Sequence, residues 1–286
     1  MTVTKPAVCG QSSLISTHPG YQLCKSSIFS SRWVWNQLRY AKKYKTGIGE
    51  ESITDFFVLN FKRWSPPGFA IKTFTRREEA VNGSDWEWWF GSKGKWLGMR
   101  VQAKVIDQRL FFEYSHLHYQ SKEQKKSGKR QADYLIENAE AKQLIPIFCL
   151  YSYWSPETQT LLKRIYKKSG FRMTEFGASI LSAYHVQSHP AKKEIDAFFP
   201  ELVPLCKLFC IETAVDSNFP ESFLQNTLAD RLVKDIQNKR NLIKDNPPDY
   251  VRLLLYEGYI PEQIFREDTE LKRISIFWVD DNENSN

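Results

Sequence analysis

The chain has 286 residues, 42% of them hydrophobic and 14% aromatic, enough apolar content for one large core or two modest ones. Its 40 basic and 33 acidic residues leave a net charge of +7, which suits a polyanionic partner without requiring one. No apolar run reaches the ~20 residues of a membrane helix, and Met1-Thr2-Val3-Thr4-Lys5-Pro6 lacks the basic-then-apolar order of a secretion signal, so a cytoplasmic protein with no membrane contact is expected.

Residues 1–45 read as an N-terminal segment. Its first ~30 positions are rich in Ser without periodicity and are expected to be loosely held. Arg32, Arg39, Lys42, Lys43 and Lys45 then interleave with Trp33, Trp35, Tyr40 and Tyr44. That mixture suits phosphate contact with base stacking, although a solvated helix face would look the same. Residues 50–64 have helical spacing, with Ile53, Phe56, Phe57, Phe61 and Trp64 in one stripe and Glu51, Thr54 and Asp55 on another face. Ser65-Pro66-Pro67-Gly68 ends that helix. Residues 69–75 fit a strand or an extended connection, and 76–81 a short helical turn.

The most informative stretch comes next. Gly83-Ser84-Asp85-Trp86-Glu87-Trp88-Trp89-Phe90 and Met99-Arg100-Val101-Gln102-Ala103-Lys104-Val105 both alternate at period two, around the turn Gly91-Ser92-Lys93-Gly94-Lys95. Asp85 and Glu87 then share one face, with Trp86, Trp88 and Phe90 opposite, and Gln102 shares a face with Lys104. A hairpin closing around Lys93 and Gly94 sets Asp85 across from Gln102. Two carboxylates, an amide oxygen and an ammonium converge there, a set able to hold a divalent cation beside a phosphate. The tryptophans are expected to pack in the core rather than stack on bases.

Residues 109–117 alternate as a third strand would. His116 and His118, separated by one residue, would face one way on a strand after Tyr114, without a third ligand for zinc. Lys122, Lys125, Lys126, Lys129 and Arg130 form a basic cluster fit to border a phosphate-binding cleft. Residues 130–143 form an amphipathic helix with Ala132, Leu135, Ile136 and Ala139 inward, and 144–154 read as a strand buried on both faces. Beyond 155 lie a basic amphipathic helix at 156–169, a strand or short helix at 180–186, helices at 192–210 and 223–243, and a last strand at 273–279. Five irregularly spaced cysteines argue against a disulfide framework. Core packing is favoured over a metal for Cys206 and Cys210, because no second Cys/His pair has zinc-site spacing.

Gly83-Ser84-Asp85 followed by Gln102-Ala103-Lys104 resembles the PD-(D/E)XK, or restriction endonuclease-like, nuclease superfamily, in the Gln-x-Lys variant carried by Mrr-type restriction endonucleases. The wider string around Trp86-Glu87-Trp88-Trp89 is also similar to a group of bacterial proteins of unknown function. The nuclease resemblance covers residues 46–155. It implies an α/β fold with a core of helix, three strands, helix and strand, and here a mainly helical extension at 156–286 packed on that core. It implies Mg²⁺ (or Mn²⁺) on Asp85 with Glu51 or Glu87, Glu50 being able to replace Glu51. Gln102 would orient a ligand or water, Lys104 would stabilise the reacting phosphate, and Gln131 would touch substrate or order the site. The expected function is phosphodiester hydrolysis, in DNA first, with defence against foreign DNA and a homo-oligomer or defence-system partner protein following by analogy. The rival is a catalytically silent nucleic-acid-binding or sensing module, which the glutamine at position 102 favours.

Overall fold

The computed structural model describes residues 19–64, 69–75, 85–92, 94–120, 122–169, 171–210, 219–233, 239–268 and 271–279. The helices are α1 (Pro19–Tyr44), α2 (Glu50–Arg63), α3 (Lys122–Ser127), α4 (Gln131–Ala141), α5 (Pro156–Ser169), α6 (Ala183–Ser188), α7 (Ile195–Phe198), α8 (Cys206–Phe209), α9 (Phe219–Gln225), α10 (Thr227–Leu232), α11 (Asp249–Tyr256) and α12 (Glu262–Glu267). The strands are β1 (Phe69–Thr75), β2 (Asp85–Ser92), β3 (Lys95–Val105), β4 (Ile145–Tyr151), β5 (Ala178–Ser182), β6 (Val203–Pro204), β7 (Ile243–Lys244) and β8 (Leu271–Val279). This is a mixed α/β fold around one sheet in the order β1-β8-β2-β3-β4-β5-β6, with β7 pairing the start of β3. None of the described helices is long and apolar enough to cross a membrane.

The central hairpin has the expected register, Asp85 opposite Gln102 and Ser92 opposite Lys95. Gly94 takes φ +69° in its turn, where a side chain would be strained. β4 runs parallel to β3, and α4 crosses between them. A crossover helix returns antiparallel to its strands, so the first turn of α4 lies at the end of the sheet where β3 and β4 finish. β4 is buried along its whole length, and Ala132, Leu135, Ile136 and Ala139 of α4 are buried as the 3.6-residue spacing requires. Helix α2 packs on the opposite face of the sheet: Phe57 meets the Tyr151 ring, and Phe61 meets Phe209 and Phe277. Trp86, Trp88 and Phe90 point to that side, where Phe90 stacks on Phe277 at 4.9 Å.

Several expectations are corrected. The C-terminal strand is not an appendage: β8 lies between β1 and β2, parallel to β2 and antiparallel to β1. The hydrophobic core draws on residues from Leu23 to Phe277. Residues 109–117 form turns rather than a third strand, because Asp107 accepts hydrogen bonds from the amides of Arg109 and Leu110 and folds the chain back. The first three core strands are therefore β1, β2 and β3. The expected helix at 192–210 breaks into α7, β6 and α8 around Pro200 and Pro204, whose nitrogens cannot donate. The one at 223–243 becomes α9, α10 and short pieces, with residues 234–238 outside those described.

The serine-rich start is also ordered from Pro19 onward. Ser27, Ser30 and Ser31 are fully buried in α1, and their small size lets residues 173–177 come close. A Cβ added at Gly177 would lie 1.9 Å from the Ser31 carbonyl oxygen. Cys24 of α1 is joined by a disulfide to Cys210, contrary to the cysteine arithmetic, and Cys206 is a buried free thiol. The earlier part of the segment, residues 1–18, lies outside the described chain.

Candidate functional site

Four expected site positions, Asp85, Gln102, Lys104 and Gln131, lie at one end of the sheet. β2 starts there with Asp85, paired to Gln102 across the ladder. Gln102 and Lys104 are on the last turns of β3 and face the α4 side, only 2% and 6% exposed. Gln131 opens α4 and is likewise buried. Helix α2 begins at the same end, because its Thr54 hydroxyl lies 3.0 Å from the Tyr151 hydroxyl at the end of β4 and donates to the Glu50 carbonyl at 2.9 Å. The side chains of Asp85 and Lys122 lie outside the described residues.

The chemistry of this end is incomplete. Gln102 Oε1 and Gln131 Oε1 are both buried with no hydrogen-bond partner among the described residues, a state that ordinarily costs about 1–3 kcal/mol each. Lys104 forms no ion pair among the described residues, although long basic chains are almost never this buried unless paired. Two acceptor oxygens and one ammonium therefore sit at the ends of parallel strands beside a helix N-terminus, the usual place for a ligand in an α/β sheet. Among the described residues no three His, Cys, Asp or Glu gather closely enough to hold a metal.

Glu50 and Glu51 divide differently from the expectation. Glu51 is exposed, whereas Glu50 is half-buried and its charge reaches the sheet. Burial pushes the Cys149 thiol up to about 12 and the Tyr151 hydroxyl well above its ordinary value, and the Glu50 charge adds to both effects. Of the two, Glu50 is the less exposed.

Glu87, expected as a metal ligand, has both carboxylate oxygens engaged. Arg100 Nη1 donates to Glu87 Oε1 at 3.0 Å, while the Trp89 indole and the Tyr250 hydroxyl donate to Oε2 at 3.0 and 2.7 Å. Arg100 also donates twice to Asp268, at 2.8 and 2.9 Å, and Lys142 bonds Asp268 from the end of α4. Glu87 and Arg100 are wholly buried, while Asp268, Tyr250 and Lys142 reach the cluster from partly exposed positions. Burial works against the Asp268 carboxylate, yet the Arg100 and Lys142 bonds overcome it and hold the group at about 2. Arg100 was overlooked in the sequence, although the register that pairs Asp85 with Gln102 necessarily pairs Glu87 with Arg100.

The basic cluster also divides. Lys125 and Lys126 are exposed on α3. Lys129 instead bonds Glu137 at 2.8 Å, and Arg130 caps α4 through Asp133 and donates to the Gln187 carbonyl at 3.0 Å. His116 and His118 lie in turns rather than on a strand, with His118 Nε2 2.6 Å from the Lys192 carbonyl oxygen.

Comparison with curated proteins finds no match, and comparison with solved structures finds none either. A family model matches residues 23–285, nearly the whole described chain, and by that match the protein belongs to DUF6615, a family of unknown function.

Proposed function

We propose that this protein is a metal-dependent nuclease with a restriction endonuclease-like core, acting first of all on DNA. The observation that carries the reading is the pairing of Asp85 with Gln102, with Lys104 two residues on and buried beside orphaned amide oxygens. The order α2, β1, β2, β3, the short α3, α4 and β4, with β3 antiparallel to β2 and parallel to β4, supports the same reading.

The residues fit a hard cation. Gln102 Oε1 is a buried acceptor without a donor, and carboxylate with carbonyl oxygen is the donor set that Mg²⁺ or Mn²⁺ takes. Asp85 would hold such an ion with Glu51 or Glu50 from the start of α2. When bound, the ion supplies a positive charge on the phosphate and a water of lowered pKa. Lys104 offsets the negative charge that grows on the phosphoryl oxygens as water attacks phosphorus and the sugar oxygen leaves with the bonding pair. Gln131 accepts a hydrogen bond from the water or orders Lys104. Defence against foreign DNA would be the biological setting by analogy alone.

A silent binding module is the second reading. Two facts favour it: position 102 has no carboxylate, and Glu87 is committed to Arg100. Incubation with plasmid, linear duplex, single-stranded DNA and RNA, in Mg²⁺, Mn²⁺ or EDTA, separates the two. Divalent-dependent cleavage of DNA supports the nuclease. Binding without cleavage under every condition supports the module.

A further inference from the structure

Helices α1 and α2 form an antiparallel pair whose outer face is aromatic and exposed among the described residues. Phe29, Tyr40, Tyr44, Phe56 and Trp64 are between 43% and 64% exposed, and Trp33 is half-buried among them. The rings are grouped in pairs: Phe29 with Trp64 at 5.4 Å, Trp33 with Phe56 at 5.5 Å, and Tyr40 with Tyr44 at 6.4 Å. Single exposed apolar residues are ordinary, but a continuous row of them marks an interaction surface. From Phe29 to Tyr44 the row follows α1 for about 22 Å at 1.5 Å per residue.

Charge identifies the occupant. Helix α1 carries Lys25, Arg32, Arg39, Lys42 and Lys43 and no carboxylate. Arg32 is paired with Glu175 and Lys42 lies over Phe111, whereas Arg39 and Lys43 lie over the outer rings of Tyr40 and Tyr44 at 5.2 Å each. Arg63 repeats the arrangement over Trp64 at 5.5 Å. Asp55, the carboxylate beside Phe56, is taken up by Arg273. Cations alternating with aromatic faces are the equipment for a single strand, whose bases are free to stack while its phosphates meet the cations. A duplex hides those base faces.

We infer that the α1–α2 face is a binding platform for single-stranded DNA that leads toward the end of the sheet carrying Gln102 and Lys104. The row ends at Tyr44, and the following loop is pinned by two hydrogen bonds between the Ile48 backbone and Gln108, 2.9 and 2.7 Å, just before Glu50. The inference rests on the nuclease reading for its polymer, and its test needs no cleavage.

Fluorescence anisotropy in EDTA, with a labelled oligothymidylate of about 20 nucleotides and a duplex of equal length, reads the platform directly. The single strand should bind more tightly than the duplex by about tenfold or more. Tyr40→Ala with Tyr44→Ala should weaken single-strand binding by roughly 10- to 100-fold, with Tyr40→Phe/Tyr44→Phe unchanged. Arg39→Gln with Lys43→Gln should flatten the log–log salt slope by about 1.4, at roughly 0.7 per contact. Phe56→Ala, from the other helix, should act like the tyrosine pair. Equal affinity for duplex, tighter binding of RNA, an unchanged affinity in the alanine variants, or loss of a homodimer in their place would overturn the platform. Intact binding in a protein that cleaves nothing would sink the nuclease reading and leave the platform standing.

Discussion

Glu87 and Arg100 face each other across the β2–β3 ladder, and two residues along the same ladder Asp85 is paired with Gln102. The first pair is closed: its charges meet Asp268, Lys142, Tyr250 and Trp89, and every carboxylate oxygen has a donor. The second region is open, with two buried amide oxygens lacking donors and a buried lysine lacking an acid among the described residues. Buried charge survives only when paired, and a buried polar group left unpaired calls for a ligand or water. The closed cluster is a structural element of the fold, and the open one is where chemistry would take place.

Breaking the closed cluster should have the largest effect, on stability. Arg100→Ala leaves the buried Glu87 with only the partly exposed Lys142, 3.6 Å away, as a cation and should cost about 3–5 kcal/mol, measured by urea unfolding. The open cluster should respond in the opposite way. Lys104→Ala should lower cleavage by about 10²–10³ with little loss of stability, because among the described residues it removes a buried charge without stranding an acid. Gln131→Leu should raise stability by about 1 kcal/mol, since an unsatisfied oxygen disappears, while cleavage falls. If Lys104→Ala unfolds the chain and Arg100→Ala does not, the two regions have been assigned the wrong way round.

Acid sharpens the comparison further. Asp268 stands at about 2 in the folded chain against an ordinary value of 3.8. A depressed carboxyl adds stability above its unfolded pKa and loses it as the pH falls through the folded one, so this contribution should fade between about pH 4 and pH 2. Asp268→Asn should make the acid limb of the stability curve shallower, read by thermal unfolding across that window. The smallest effect concerns the exposed lysines. With Lys129 and Arg130 engaged internally, Lys125→Gln with Lys126→Gln should flatten the duplex salt slope by about two units at most.

What the sequence disclosed follows from how local each signal is. Helices α2 and α4, the hairpin and β4 are marked by periodicity within a few residues, and Gly94 fixed the register that pairs Asp85 with Gln102. The position of β8 left no such trace, because its partners Phe69–Thr75 and Asp85–Gly91 are about two hundred residues away. The disulfide joins positions 186 residues apart and was hidden for the same reason. Two misreadings were local. Residues 109–117 alternate like a strand, but the Asp107 side chain turns them and Phe111 adopts φ +53°. The serines of α1 resemble a loop in composition, yet they are the small residues of a close crossing with Gly177. At the site, Gln102, Lys104 and Gln131 could be read from pattern, whereas the capture of Glu87 by Arg100 required following the register one step further.

The central claim is that the open region is a hydrolytic site. Single-turnover cleavage of end-labelled DNA in Mg²⁺, by the wild type, Asp85→Ala and Lys104→Ala, each with its own unfolding curve, tests it most directly. The account predicts cleavage by the wild type that EDTA abolishes, and a loss of about 10²–10³ in both variants with folding intact. Cleavage at the wild-type rate by either variant, or none by the wild type on any DNA offered, would contradict it.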